Sequence, residues 1–84
     1  MTREEVFNKI ENIFKDIFDD SSLSIEDSTN SDDIEEWDSL NHIYLVSAIE
    51  NDFNIRFALG ELTSLKDVGS MIDLMLKKIS NINE

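Results

Sequence analysis

Apolar positions between Thr2 and Phe18 recur with the period of an α-helix. Val6, Phe7, Ile10, Ile13, Phe14, Ile17 and Phe18 fall within one stripe about 140° wide at 100° per residue. Arg3, Glu4, Lys9, Glu11, Lys15 and Asp16 lie largely outside it. Thr2 and Glu5 have capping-box spacing, hydroxyl and carboxylate each satisfying an orphan amide at the helix start. The pattern predicts a first helix over Thr2–Phe18 with one face toward a core. Residues 19–38 are instead rich in Ser, Asp and Asn, which favour turns over helix interiors. A connection of ~20 residues is uncommon in a compact domain. Leu23, Ile25, Ile34 and Trp37 are spaced as anchors along it, so an ordered, pinned loop is expected.

The pattern then changes character. A second helix is predicted from Asp38 or Ser39 to near Asp52, with Asp38 as N-cap. Its apolar residues form two sides rather than one stripe. Leu45, Val46, Ile49 and Phe53 cover one; Leu40, Ile43 and Tyr44, with Ser47 beside them, cover roughly the opposite one. Complete burial of both is hard to arrange in so small a domain, so the second side is expected to meet partners.

Phe53–Phe57 breaks the helical pattern and reads as a short extended link anchored by Ile55 and Phe57. A short helical turn is predicted around Leu59–Leu62. A last helix follows Thr63 or Ser64, where Ser64 and Asp67 have capping-box spacing. Leu65, Val68, Ile72, Met75, Leu76 and Ile79 form its inward stripe. Gly69 interrupts it at about 1 kcal/mol, which close packing against another helix would explain. Lys77 and Lys78 are expected in the last turn, where cations complement the helix dipole, and Asn81–Glu84 are expected to fray. With no internal repeat and no convincing strand pair, residues 1–84 read as a single all-α domain: a bundle of three main helices plus a short fourth.

Composition narrows the function. The 84 residues are 40% hydrophobic, and no apolar run approaches ~18 residues, so a soluble globular domain is expected. The N-terminus has no signal-peptide architecture, which makes the cytoplasm the default location. Without cysteine there is neither a disulfide nor a thiolate metal site. The net charge is −12, and nine acids with no base lie between Asp19 and Asp38. Such a field repels nucleic acid and anionic membranes and steers basic protein surfaces toward this region.

The candidate chemistry centres on Trp37-Asp38-Ser39-Leu40-Asn41-His42-Ile43. Ser39 would stand exposed at a helix N-terminus with nothing nearby to activate it, which points to a serine that is modified rather than one that attacks. His42, the one histidine, sits three residues on and is expected to be a solvent-exposed helix residue. A hydrolase built on Ser39 and His42 would also need an orienting acid, an oxyanion hole and a pocket. Asp27–Asp38 has the length of a calcium loop, but Asp32 stands where the turn needs Gly and Asp38 where a bidentate Glu is needed. No metal site is expected, nor a Gly-rich nucleotide loop.

These residues resemble the acyl carrier proteins over nearly the whole chain. Asp38-Ser39-Leu40 is followed by Ile43, Leu45, Val46, Ala48, Ile49, Glu50, Phe53 and Ile55. A weaker match is Leu62-Thr63-Ser64-Leu65-Lys66-Asp67-Val68. The resemblance implies that a separate phosphopantetheinyl transferase esterifies Ser39 with 4′-phosphopantetheine from coenzyme A, and that the arm's thiol carries acyl or aminoacyl groups as thioesters. It implies a non-catalytic protein whose partners, acyl-loading and acyl-processing enzymes with basic surfaces, dock on the second helix through Asp38, Leu40, Ile43 and Glu50. A monomer is expected, and a start at Met1 without flanking linker implies a free-standing carrier. Fatty-acid carriers usually place a small residue near the position of Trp37 and more acids along the second helix. The Trp-Asp-Ser-Leu form therefore resembles carriers of specialised pathways more than the housekeeping one. Whether an acyl chain swings in solution or enters a cleft between helices stays open. The alternative from another class is an acidic helical interaction module without a prosthetic group, in which Ser39 merely caps a helix.

Overall fold

The computed structural model describes residues 2–58, 60–61 and 65–82. Three helices of equal length carry the fold: α1 (Arg3–Ile17), α2 (Ser39–Phe53) and α3 (Val68–Ile82). No strand accompanies them among the described residues; one isolated antiparallel bridge joins Asn30 to Asp67. The all-α expectation is met. Both other helices pack against α1.

The ends of α1 follow from local chemistry. The Thr2 hydroxyl accepts from the Glu5 amide and the Glu5 carboxylate accepts from the Thr2 amide, completing the capping box. At the other end Asp19 adopts the left-handed conformation at φ 51°. The Asp19 amide donates to the Asp16 carbonyl and the Asp20 amide to that of Lys15. This is the paired termination in which a left-handed residue lets two orphan carbonyls be satisfied. The α1 stripe divides by depth: Val6, Ile10, Phe14 and Phe18 are buried, while Phe7, Ile13 and Ile17 are partly buried at its edge.

The 19–38 connection is pinned as its anchors foretell. Ile25, Ile34 and Trp37 are buried, and Leu23 packs on the core from its margin. Between anchors the chain is held by turns: Glu26 donates to the Thr29 hydroxyl at 2.8 Å, and Asn30 to the Asp33 carboxylate at 3.0 Å. Arg3 forms ion pairs with Asp27 of this loop and Asp73 of α3, joining three segments.

Its firmest attachment is to the start of α3, which differs from expectation. The helix begins at Val68, after Leu65 and Lys66 have passed in irregular conformation. Asp67 is therefore the residue before the first turn and accepts from the Ser70 amide at 2.7 Å. Thr63 and Ser64 lie outside the described residues. All four first-turn amides of α3 have partners: Val68 donates to the Thr29 carbonyl, Gly69 to that of Asp27, Ser70 to the Asp67 side chain and Met71 to its carbonyl. The loop supplies what a helix start lacks by itself. Gly69 owes its place to this contact and not to a neighbouring helix. A methyl there would meet the Asp27 carbonyl at 3.1 Å and its Cβ at 3.2 Å.

Further along α3, Val68, Met71, Ile72 and Met75 are fully buried, while Leu76 and Ile79 lie at the core edge. Met71, absent from the predicted stripe, shares the face by its i+3 relation to Val68 and i−4 relation to Met75. Because the helix continues through Asn81 to Ile82, Lys77 and Lys78 do not fall in its last turn. Lys78 instead pairs with Glu61 at 2.7 Å and lies over the Phe57 ring. Of the turn expected over Leu59–Leu62, Gly60 and Glu61 form one 3₁₀ turn, closed by the Glu61 amide on the Ala58 carbonyl. Leu59 and Leu62 lie outside the described residues.

Candidate functional site

Helix α2 positions the site. Asp38 is its N-cap, in extended conformation, with its carboxylate accepting from the Asn41 amide at 2.8 Å. The Asp38 carbonyl takes the His42 amide, also at 2.8 Å. Asn41 reaches back to the Glu36 carbonyl at 2.7 Å, fixing the approach to the helix. Two first-turn amides remain, those of Ser39 and Leu40, and among the described residues no acceptor meets either. Ser39 is the first helical residue and is exposed. No described residue hydrogen-bonds its hydroxyl.

Asn54 in the left-handed conformation ends the helix, at φ 55°. Along it, the two sides separate as predicted. Leu45, Val46 and Ile49 are buried, while Leu40, Ile43 and Tyr44 stand 59%, 59% and 53% exposed. The apolar patch thus begins directly at Ser39. Asp38, Leu40 and Ile43 cluster there. Glu50 does not join them: eleven residues on, it lies about 16 Å along the helix axis. Its carboxylate accepts from the Phe57 amide at 2.8 Å, holding the link after α2.

His42 departs from expectation. It is half-buried, and its Nδ1 accepts from the Trp37 indole N–H at 2.9 Å. The rings lie nearly parallel, 21° apart, with centroids at 6.0 Å. Burial holds the imidazole below its ordinary range. The signal was available in the spacing, since His42 precedes Leu45, Val46 and Ile49 by three, four and seven residues and so shares their inward face. Trp37, 5% exposed, meets Phe14 edge-on at 5.2 Å and Phe18 at 6.5 Å. It joins the start of α2 to the α1 core.

An open cleft of about 600 Å³ adjoins Ser39, bounded by Trp37, Asp38, His42, Ile43, Leu65 and Lys66 among others. A second, of about 800 Å³, lies at the far end of α2 beside Glu50, Asn54 and Arg56. Among the described residues no group of three His, Cys, Asp or Glu side chains is placed to hold a metal ion. Among the described residues no helix is long and apolar enough to cross a membrane.

Fold and site together define a small acidic helical protein with an exposed serine, Ser39, at the head of a helix beside an apolar patch. No protein-family model matches the chain. It is 41% identical to a holo acyl carrier protein from Geobacter metallireducens whose structure has been solved, with a TM-score of 0.84 over 89% of this chain and 86% of that one. Acyl carrier proteins of Saccharopolyspora erythraea and Petrotoga mobilis are 28% and 29% identical, over 98% and 95% of this chain and 86% and 94% of their own lengths. The chain belongs to the acyl carrier protein family. Members of this family are carriers that work with biosynthetic enzymes, and they bear a 4′-phosphopantetheine prosthetic group. The residues present fit such a group: a hydroxyl and two helix amides that no described residue engages, the amides suited to an anion, and an adjoining cleft.

Proposed function

We propose that Ser39 is the attachment point of the prosthetic group and that this chain presents acyl or aminoacyl intermediates to the enzymes of a dedicated biosynthetic pathway. The observation that carries this reading is the exposed Ser39 hydroxyl on the first turn of α2, free of hydrogen bonds from any described residue. A serine that attacks needs a base to take its proton. A serine that receives a group needs access. Ser39 has access, and the one histidine beside it has its Nδ1 occupied by Trp37, which disfavours a hydrolytic pairing.

When bound, the group supplies a terminal thiol that holds acyl chains as thioesters. The protein's own residues do the rest. The Ser39 and Leu40 amides, at the positive end of the α2 dipole, favour a phosphodiester on the Ser39 oxygen. Asp38 holds the first turn so that these amides stay presented. Leu40 and Ile43 offer partners an apolar contact beside the attachment point, and the acids of the loop draw basic surfaces toward it. Glu50, engaged with Phe57, contributes to the far edge of the same surface. Support for a specialised pathway comes from Trp37, a large buried side chain where housekeeping carriers place a small one. A cytoplasmic monomer is the working form in this reading.

Intact-mass measurement after incubation with coenzyme A and a broad-specificity phosphopantetheinyl transferase tests the assignment. The wild-type chain gains the mass of one arm and Ser39→Ala gains none. An equal gain in both, or none in the wild type, defeats it.

A further inference from the structure

We infer that His42, locked by Trp37 in one tautomer, is a positioning residue that donates a hydrogen bond from Nε2 to the phosphodiester on Ser39. The inference rests on Ser39 as the attachment point. An indole N–H can only donate, so the His42 Nδ1 that it meets at 2.9 Å must be unprotonated. A neutral imidazole with a bare Nδ1 carries its proton on Nε2. Trp37 therefore selects the tautomer.

Helix geometry brings the His42 ring beside Ser39. Side chains three residues apart are surface neighbours, and helical side chains lean toward the N-terminus, so His42 leans over the turn that begins with Ser39. His42 and Ser39 border the same cleft. No hydrogen bond to Nε2 from a described residue is present, so the donor is available to a group attached at Ser39. It would add to the Ser39 and Leu40 amides. The charged neighbours on the cleft are Asp38 and Lys66. Asp38 is committed to the Asn41 amide, and Lys66 is exposed on the segment before α3. Neither is hydrogen-bonded to His42. Trp37 in turn is wedged against Phe14 and Phe18, so the core sets the imidazole's orientation.

The test uses holo protein, its arm first verified on Ser39 by intact mass, so that failure of the attachment reading is recognised before this step. A phosphodiester does not titrate near neutrality, and His42 is the sole histidine. The ³¹P resonance of the arm, followed from about pH 5.5 to 8, should move with the midpoint of the His42 imidazole. Histidine ¹⁵N shifts should show a bare Nδ1 and a protonated Nε2 in both apo and holo forms, with the Nε2 signal changing on loading. His42→Ala should abolish the ³¹P titration. Should that variant fail to fold, Trp37→Phe retains the histidine and a buried aromatic ring while removing the indole donor. It should raise the imidazole midpoint, since the neutral form loses its hydrogen bond. A ³¹P resonance indifferent to pH, a titration that survives in His42→Ala, or a protonated Nδ1 in the neutral state overturns the inference.

Discussion

Trp37 does two separable things. Its ring fills space against Phe14 and Phe18, and its N–H engages His42. Trp37→Phe keeps most of the first and deletes the second. Chemical denaturation should register a loss of about 1–2 kcal/mol for Trp37→Phe and about 3–5 kcal/mol for Trp37→Ala, the difference measuring the ring against the hydrogen bond. His42 adds a pH dependence. Burial holds its folded-state value below the ordinary 6.5, so the unfolded chain binds the proton first as pH falls. The stabilisation is complete above the unfolded value and is lost as pH drops through the folded one. Between about pH 7.5 and 5.5 the denaturation midpoint of the wild type should fall relative to His42→Gln, which has no titrating ring. Acid repulsion elsewhere is common to both proteins and cancels in the comparison.

At the scale of elements, α2 and α3 start by different means. The start of α2 relies on its own Asp38, and among the described residues no acceptor meets the Ser39 and Leu40 amides. That of α3 is sealed by the loop, with Thr29 and Asp27 carbonyls taking the Val68 and Gly69 amides. Gly69→Ala weighs these effects against each other. Alanine improves helix propensity by about 1 kcal/mol. The added methyl must displace the carbonyl that Gly69 itself hydrogen-bonds, an overpacking cost of about 1–3 kcal/mol. A net loss of about 1 kcal/mol is expected by denaturant titration, with the 19–38 loop gaining susceptibility to proteolysis. The exposed side of α2 behaves oppositely. Ile43 is 59% exposed, so Ile43→Ser should leave stability within about 0.5 kcal/mol while slowing modification by the transferase. That split, read as denaturation midpoint against rate of mass gain, separates a docking residue from a packing one. Much of this was legible along the chain, including the Thr2–Glu5 box, the Asp38 cap and the two-sided α2. The start of α3 at Val68 was not, because its first amides are satisfied by the Thr29 and Asp27 carbonyls, far away along the chain.

For the molecule as a whole, charge is the dominant unbalanced quantity. Nine acids without a base lie between Asp19 and Asp38. Within this stretch Asp27 has an ion-pair partner, in Arg3. Raising ionic strength or adding millimolar magnesium should raise the melting temperature by several degrees, since about 1 kcal/mol moves a domain of this size by about 4–8 °C. A melting temperature unmoved by either would mean that the fold already relieves the repulsion. The sequence by itself determined three helices, a pinned acidic loop, an apolar patch and Ser39 at its head, because periodicity, capping chemistry and charge are local properties. Tertiary structure alone decided what spacing cannot contain. The loop caps α3, Gly69 admits a backbone carbonyl, and Trp37 bridges the α1 core to His42. The loop carbonyls at α3 and the Phe14 ring at Trp37 lie far along the chain from what they meet, and only the packed fold brings them within hydrogen-bonding or van der Waals range.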